Sequence, residues 1–145
     1  MTIEDKELLL IDLCTRLPYG VVCAGITYEL DDDGENYISV KVKNTLTEIH
    51  NYKLETVYVR LGLISTCKLE TVKPYLRLMS SMTEEEDKEW QIYKNNIAES
   101  CDERLGERIY ELHDWFNSHH FDYRGLIEKG LAIEAPKDMY NIKKK

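Results

Sequence analysis

Three of the four histidines in the chain, His113, His119 and His120, fall within one stretch, YELHDWFNSHHFDYRGLIEKGLAIEAP (110–136). Histidine titrates nearest neutrality, so such a cluster raises acid–base chemistry and metal binding first. Two histidines on a helix share a metal ion when they stand three or four residues apart. Those positions after His113 hold Phe116 and Asn117, and His119 and His120 are adjacent, so the spacing predicts no metal centre. On a helix running to His120, both His113 and His120 flank Phe116 on the core-facing side, which reads first as structural histidine. An acid–base role would fall to His113 and His120. A nucleophile would be Cys101 or Cys23, with Asp114 or Asp122 orienting the base, but no nucleophile elbow or comparable local signature supports this. Arg124, beside Gly125 at an expected helix start, suits a phosphate or carboxylate, although a salt bridge is the simpler role.

Other motifs are excluded on similar grounds. The glycines form neither GxGxxG nor a P-loop. The acidic run DDDGEN (31–36) suggests a calcium loop, yet an alignment on Gly34 puts Val40 where a bidentate glutamate is required. It is expected to be a solvated hairpin turn. Cys14, Cys23, Cys67 and Cys101 lack CxxC spacing and are expected to be buried thiols. No cofactor or metal is expected.

The elements that would position these residues follow from periodicity. Residues 3–17 read as a helix opened by Thr2 and Asp5, with Leu9, Leu10, Leu13, Cys14 and Leu17 on a broad apolar face. Alternation predicts strands at 21–30 and 37–43, a third at 54–64 and a fourth at 67–79, the last an edge or interrupted strand because of Pro74. Thr83 and Glu86 form a capping box before a helix whose buried face carries Trp90, Tyr93, Ile97 and Cys101. Gly106 suggests a break, and a further helix is expected over 107–117. Phe121 and Asp122 open a short helix that Gly130 stops, and 131–135 adds a strand. The fold class is therefore α+β: a mainly antiparallel sheet of about four or five strands, with an N-terminal helix and C-terminal helices packed on it. Residues 1–136 make one domain, and 137–145 a loose basic tail apart from Met139 and Tyr140.

At 145 residues, 43% hydrophobic and 32% charged, the chain can bury a core and remain in solution. Its net charge is −8, and residues 84–111 supply −6 of it through ten acids and four bases. That argues against direct nucleic-acid binding, which needs clustered lysine and arginine. Glu4, Asp5 and Glu7 stand where a signal peptide needs positive charge, and no apolar run is long enough to cross a membrane, so a cytoplasmic protein is expected. Ten tyrosines against two phenylalanines point to polar-tipped aromatics at the core margin or at a contact surface.

Two segments, VKPYLRLMSSMTEEE (72–86) and HHFDYRGLIEKGLAIEAP (119–136), resemble segments of small proteins carried by phages and mobile elements of gut Bacteroides-type bacteria. Those proteins tend to have proline after the arginine of the first segment, where this chain has Leu78. The resemblance implies cytoplasmic expression and a role in phage–host interaction; it implies no catalytic or binding residues.

The expected function is that of a non-enzymatic accessory protein acting through contacts with a host protein or with itself as a homodimer. Trp115, His119, His120, Tyr123 and Arg124 are the expected contact residues. One alternative is an acidic nucleic-acid mimic that blocks a host DNA-binding enzyme. Another is a small hydrolase using a histidine near His113 and His120.

Overall fold

A computed structural model describes residues 1–51 and 56–140. Its chain order is α1 (Ile3–Arg16), β1 (Val22–Leu30), β2 (Tyr37–Asn51), β3 (Val57–Leu61), β4 (Ser65–Lys68), β5 (Lys73–Leu76), α2 (Glu84–Ala98), α3 (Asp102–Ser118) and β6 (Ile133–Glu134). The strands form one sheet in the order β4-β3-β2-β1-β5-β6, antiparallel throughout except for the final β5–β6 pair. The fold is α+β as expected, with six strands among the described residues rather than four or five. Of the third expected strand (54–64), residues 54 and 55 lie outside the described residues.

Local chemistry sets most element boundaries. Thr2 accepts the Asp5 N–H at the start of α1, and Thr83 with Glu86 closes a full capping box on α2. The DDDGEN turn closes with Gly34 at a φ of 72° and with the Asp31 carboxylate accepting the Glu35 N–H. Hydrogen bonds from the Glu35 and Asn36 backbone pull the Asp31 carboxyl below its ordinary range.

Four expectations change. β2 runs to Asn51 rather than ending near residue 43, because it changes partner, pairing with β1 up to Thr45 and with β3 from Leu46 onward. The expected strand over 67–79 is two strands divided by a 3-10 turn (Leu69–Thr71). Pro74 is tolerated because it opposes Cys23 of β1, while β6 joins the far side of β5 only at Tyr75 and Leu76. α3 passes straight through Gly106, an exposed position with nothing within 4 Å of where a Cβ would sit. The helix expected after Asp122 is a run of turns, since Gly125 at a φ of 76° breaks helical geometry there.

The core lies under α1. Leu9 and Leu13 share one cluster with Val21 just before β1, Cys23 of β1, Leu46 of β2, Val57, Val59 and Leu61 of β3, and Leu69, Val72 and Leu76 beyond. The bend in β2 folds the β3–β4 hairpin over β1. Gly25 marks the crossing: a Cβ there would lie 2.9 Å from Cys67 Sγ and 3.1 Å from Leu61 Cδ1. A second cluster joins Trp115, Phe116 and Phe121 to Trp90, Tyr93, Leu112 and Tyr123. Cys23 and Cys67 are buried as expected, whereas Cys14 and Cys101 are exposed. Cys14 lies off the buried stripe of α1, which runs through Leu9, Asp12, Leu13 and Arg16.

Two glycine substitutions test these packing statements in opposite directions. Gly106→Ala should stabilise the protein by about 0.5–1 kcal/mol, since a helical glycine is replaced with no steric conflict. Gly25→Ala should destabilise it by about 1–3 kcal/mol through overpacking of the crossing. Urea denaturation of both variants reads the two signs directly.

Candidate functional site

The stretch after α3 is held by two buried arginines. Asp12 and Arg16 stand four residues apart within the apolar stripe of α1, and both are fully buried. Arg16 donates from Nε to Asp12 Oδ2 at 2.8 Å and from Nη2 to the Phe121 carbonyl at 2.7 Å. The other carboxylate oxygen of Asp12 accepts from Arg124 Nε at 3.1 Å. Arg77, at the end of β5, makes a two-pronged pair with Glu86 of α2, at 2.9 and 2.7 Å. It lies 4.2 Å over the Phe121 ring and also donates to the His119 and Ser81 carbonyls. Burial alone would raise the Glu86 carboxyl, but the hydrogen bonds from Arg77 and the Thr83 N–H, with the Arg77 charge, hold it below its ordinary range.

α3 ends in a Schellman turn. The Phe121 N–H reaches the Phe116 carbonyl at 3.0 Å, and the His120 N–H reaches Asn117 at 3.1 Å. His120 takes the left-handed position, at a φ of 63°, that glycine usually fills. Its ring stacks on Tyr140 with centroids 3.7 Å apart. Burial, reinforced by the charges of Arg16, Arg77 and His119, pushes its pKa down to about 4. Tyr140 in turn fills a gap between β1 and β5: its hydroxyl accepts from the Val22 N–H at 3.0 Å and donates to the Tyr75 carbonyl at 2.6 Å.

The histidines, Trp115, Tyr123 and Arg124 thus meet in one place while Cys23 and Cys101 lie elsewhere, and most of their polar atoms are engaged internally, His120 Nδ1 being buried with no hydrogen-bond partner among the described residues. Trp115 Nε1 donates to Glu89 at 2.9 Å. His119 Nδ1 lies 3.0 Å from the Trp115 carbonyl and 3.1 Å from Ser118 Oγ. Tyr123 packs against both Phe116 and His113, each 5.0 Å away, and its hydroxyl accepts from Arg124. The Asp122 carboxylate caps Leu126 and Ile127, and Asp114 accepts from the Tyr19 hydroxyl. Neither His113 nor His120 is hydrogen-bonded to a serine, threonine, cysteine or carboxylate among the described residues. Burial and the nearby Arg124 charge lower the His113 pKa. No group of three or more His, Cys, Asp or Glu side chains among the described residues is placed to hold a metal ion. Asp12, Arg16 and Arg77 were not singled out by the sequence, and Glu86 only as a cap; the signal for Asp12 and Arg16 was a charge pair at i and i+4 inside an apolar stripe.

Two surface features remain. A cleft of about 520 Å³ separates residues 77–83 from 134–140, lined by Ser81, Thr83, Glu134, Lys137 and Tyr140 among others. The second feature is apolar. Tyr28, Leu30, Tyr37 and Ile38 are exposed near the tip of the β1–β2 hairpin, and Leu63 and Ile64, in the β3–β4 turn, are 89% and 90% exposed. The turn starts beside Thr45, whose carbonyl accepts the Gly62 N–H, and is directed toward the hairpin. Cys67 stands against Gly25 and the Thr66 carbonyl accepts from Thr27, so the chain backs toward the hairpin tip as it approaches Ile64. No helix among the described residues is long and apolar enough to cross a membrane. Neither family models, curated proteins nor solved structures gave a match to this chain.

Two outcomes test the arginine frame. Asp12→Ala leaves Arg16 buried without its carboxylate and should cost about 3–5 kcal/mol of stability in denaturant titration. His120 should impose an acid-side loss. The unfolded histidine binds a proton near pH 6.5 and the folded one only near 4. Stability is therefore full above about pH 6.5 and falls as pH drops toward 4, by on the order of 2–3 kcal/mol. His113 adds loss in the same direction, and Glu86 adds more below its own ordinary pKa. His120→Asn, which keeps a left-handed-tolerant residue, should flatten the curve between pH 6.5 and 4; an unchanged slope would remove His120 as its cause.

Proposed function

We propose that the protein is a non-enzymatic contact protein that engages a protein partner through the apolar end of its sheet. The observation carrying this reading is that, among the described residues, six of the thirteen exposed large hydrophobic side chains lie on the β1–β2 hairpin and on the β3–β4 turn directed toward it: Tyr28, Leu30, Tyr37, Ile38, Leu63 and Ile64. Scattered exposed apolar residues are ordinary, but several on neighbouring turns point to an interface; Tyr28, Leu30 and Tyr37 share one face of the hairpin, and Ile38 lies on the other, the side toward which the Leu63–Ile64 turn is directed. Tyrosine suits such a surface because a large rigid ring is presented with a polar tip. The resemblance of residues 72–86 and 119–136 to phage-borne proteins agrees with a cytoplasmic role in meeting a host protein.

The other two readings have less support. A nucleic-acid mimic needs free acids along one face, yet Glu86 pairs with Arg77 and Glu89 takes the Trp115 N–H. A hydrolase needs a base beside a nucleophile, and His113 and His120 stack on tyrosines instead.

The test is capture of a partner from a Bacteroides-type host lysate by the tagged protein and by a Leu63→Asp/Ile64→Asp variant, at low and high salt. A specific protein retained by the wild type at both salts and lost by the variant is the expected result. At sites this exposed the substitutions should change stability by no more than about 0.5 kcal/mol, so melting temperatures should agree. Equal capture by both forms, or no captured protein, would refute the reading.

A further inference from the structure

β2 has an unpaired edge. β1 covers one side of it over residues 37–45, and β3 joins the other side only from Leu46. The bond from the Asp31 N–H to the Asn36 carbonyl fixes the phase of the β1–β2 ladder. In an antiparallel ladder alternate residues turn their N–H and C=O groups outward. In β2 these are Tyr37, Ser39, Lys41 and Lys43, followed by Thr45. The Thr45 carbonyl does face outward, since it accepts the Gly62 N–H at 2.7 Å. On β1 the same phase sends the Val22 and Ile26 N–H groups to the hydroxyls of Tyr140 and Thr71. Among the described residues no backbone bond reaches the outward groups of Tyr37, Ser39, Lys41 or Lys43. The open stretch of eight residues spans roughly 26 Å at about 3.3 Å per residue.

Its two faces differ chemically. Lys43 of β2 and Lys73 of β5 both oppose Ala24 of β1, and Lys41 opposes Ile26, so three exposed lysines share one face. No ion pair engages them among the described residues, and they border a shallow groove of about 510 Å³ with Thr71 and Tyr75. The other face of the same edge carries Ile38, Val40 and Val42, on the side toward which the Leu63–Ile64 turn is directed.

We propose that this edge accepts an extended segment of the protein partner as an added strand, and that the segment alternates acidic with apolar residues. The inference rests on the contact-protein reading above and specifies the partner's chemistry. Strand addition supplies main-chain hydrogen bonds, and alternating side chains supply selectivity. Acids opposite Lys41 and Lys43 would meet two charges outside any ion pair among the described residues, Lys43 lying 5.3 Å over the Tyr75 ring, while the intervening residues cover Val40 and Val42. A second copy of this chain fits poorly, because pairing β2 with itself gathers four lysines on one face. Lysine on an open edge is a common guard against such self-pairing, and an acidic strand turns that guard into attraction.

The test uses a short labelled peptide alternating glutamate and valine, a lysine-for-glutamate control, and a control with N-methyl groups along its bonding edge. Fluorescence anisotropy should show binding of the glutamate peptide alone, weakened by salt and reduced by about tenfold or more in Lys41→Glu/Lys43→Glu protein. Amide exchange at Tyr37, Ser39, Lys41 and Lys43 should slow on binding. Equal binding of all three peptides, unchanged exchange, or protection of the same amides by dimerisation without peptide would overturn the proposal. The two readings fail separately. Partner capture that is lost on Leu63→Asp/Ile64→Asp but survives Lys41→Glu/Lys43→Glu sinks the strand addition alone, whereas peptide binding with unchanged capture sinks the apolar contact alone.

Discussion

The carboxylate of Asp12, out of contact with water and shared by two guanidinium groups, is the constraint on which the rest of the structure depends. Moving these charges out of water is costly, and their attraction offsets the cost only when the geometry is close. Arg16 must therefore lie where it meets both Asp12 and the Phe121 carbonyl, which fixes α1 against the segment following α3. Arg77 does the equivalent from the sheet, with its charge on Glu86 and its plane over the Phe121 ring. One guanidinium holds the Phe121 backbone while the other covers its side chain. The segment around Phe121 thus has little freedom of position, and helix, sheet and α2 are all referred to it.

This explains why the histidine-rich stretch drew attention and yet holds little free chemistry. Dense aromatic and polar residues are what a site needs, but also what a junction among four elements needs. Trp115, His119, Tyr123 and Arg124 direct their polar atoms to Glu89, Trp115, Arg124 and Asp12 in turn. The exposed chemistry lies at the far end of the sheet, where alternation leaves one face basic and the strand edge unpaired.

What the sequence made legible is what depends on neighbours in the chain. The capping residues Thr2 and Thr83, the alternating strands after Val21 and the left-handed Gly34 and Gly130 all state their geometry locally. What it hid depends on distant partners. Asp12 and Arg16 interrupt an apolar stripe with no local reason, since their partner Phe121 lies 105 residues from Arg16. Residues 44–51 of β2 alternate weakly because the strand changes both its neighbour and its buried face there. Gly106 suggested a break on propensity alone, and a long amphipathic helix overrode it. Asp122 signalled a cap correctly, but Gly125 placed the capped N–H groups at Leu126 and Ile127, beyond a helix's usual reach.

The Tyr140 hydroxyl that stands in for a ladder bond between β1 and β5 also sets an order of events. Val22 lies 118 residues earlier in the chain and Tyr75 lies 65 earlier. Until residue 140 has been synthesised and its ring lies against His120, the seam between the two strands has the Cys23–Pro74 and Ala24–Lys73 rungs and the Thr71 hydroxyl beside Ile26. Pairings this distant carry a loop-closure cost that slows folding. During synthesis the β1–β4 hairpins can form from nearby residues, whereas the bridge that Tyr140 makes between β1 and β5 must wait for a residue near the end of the sequence.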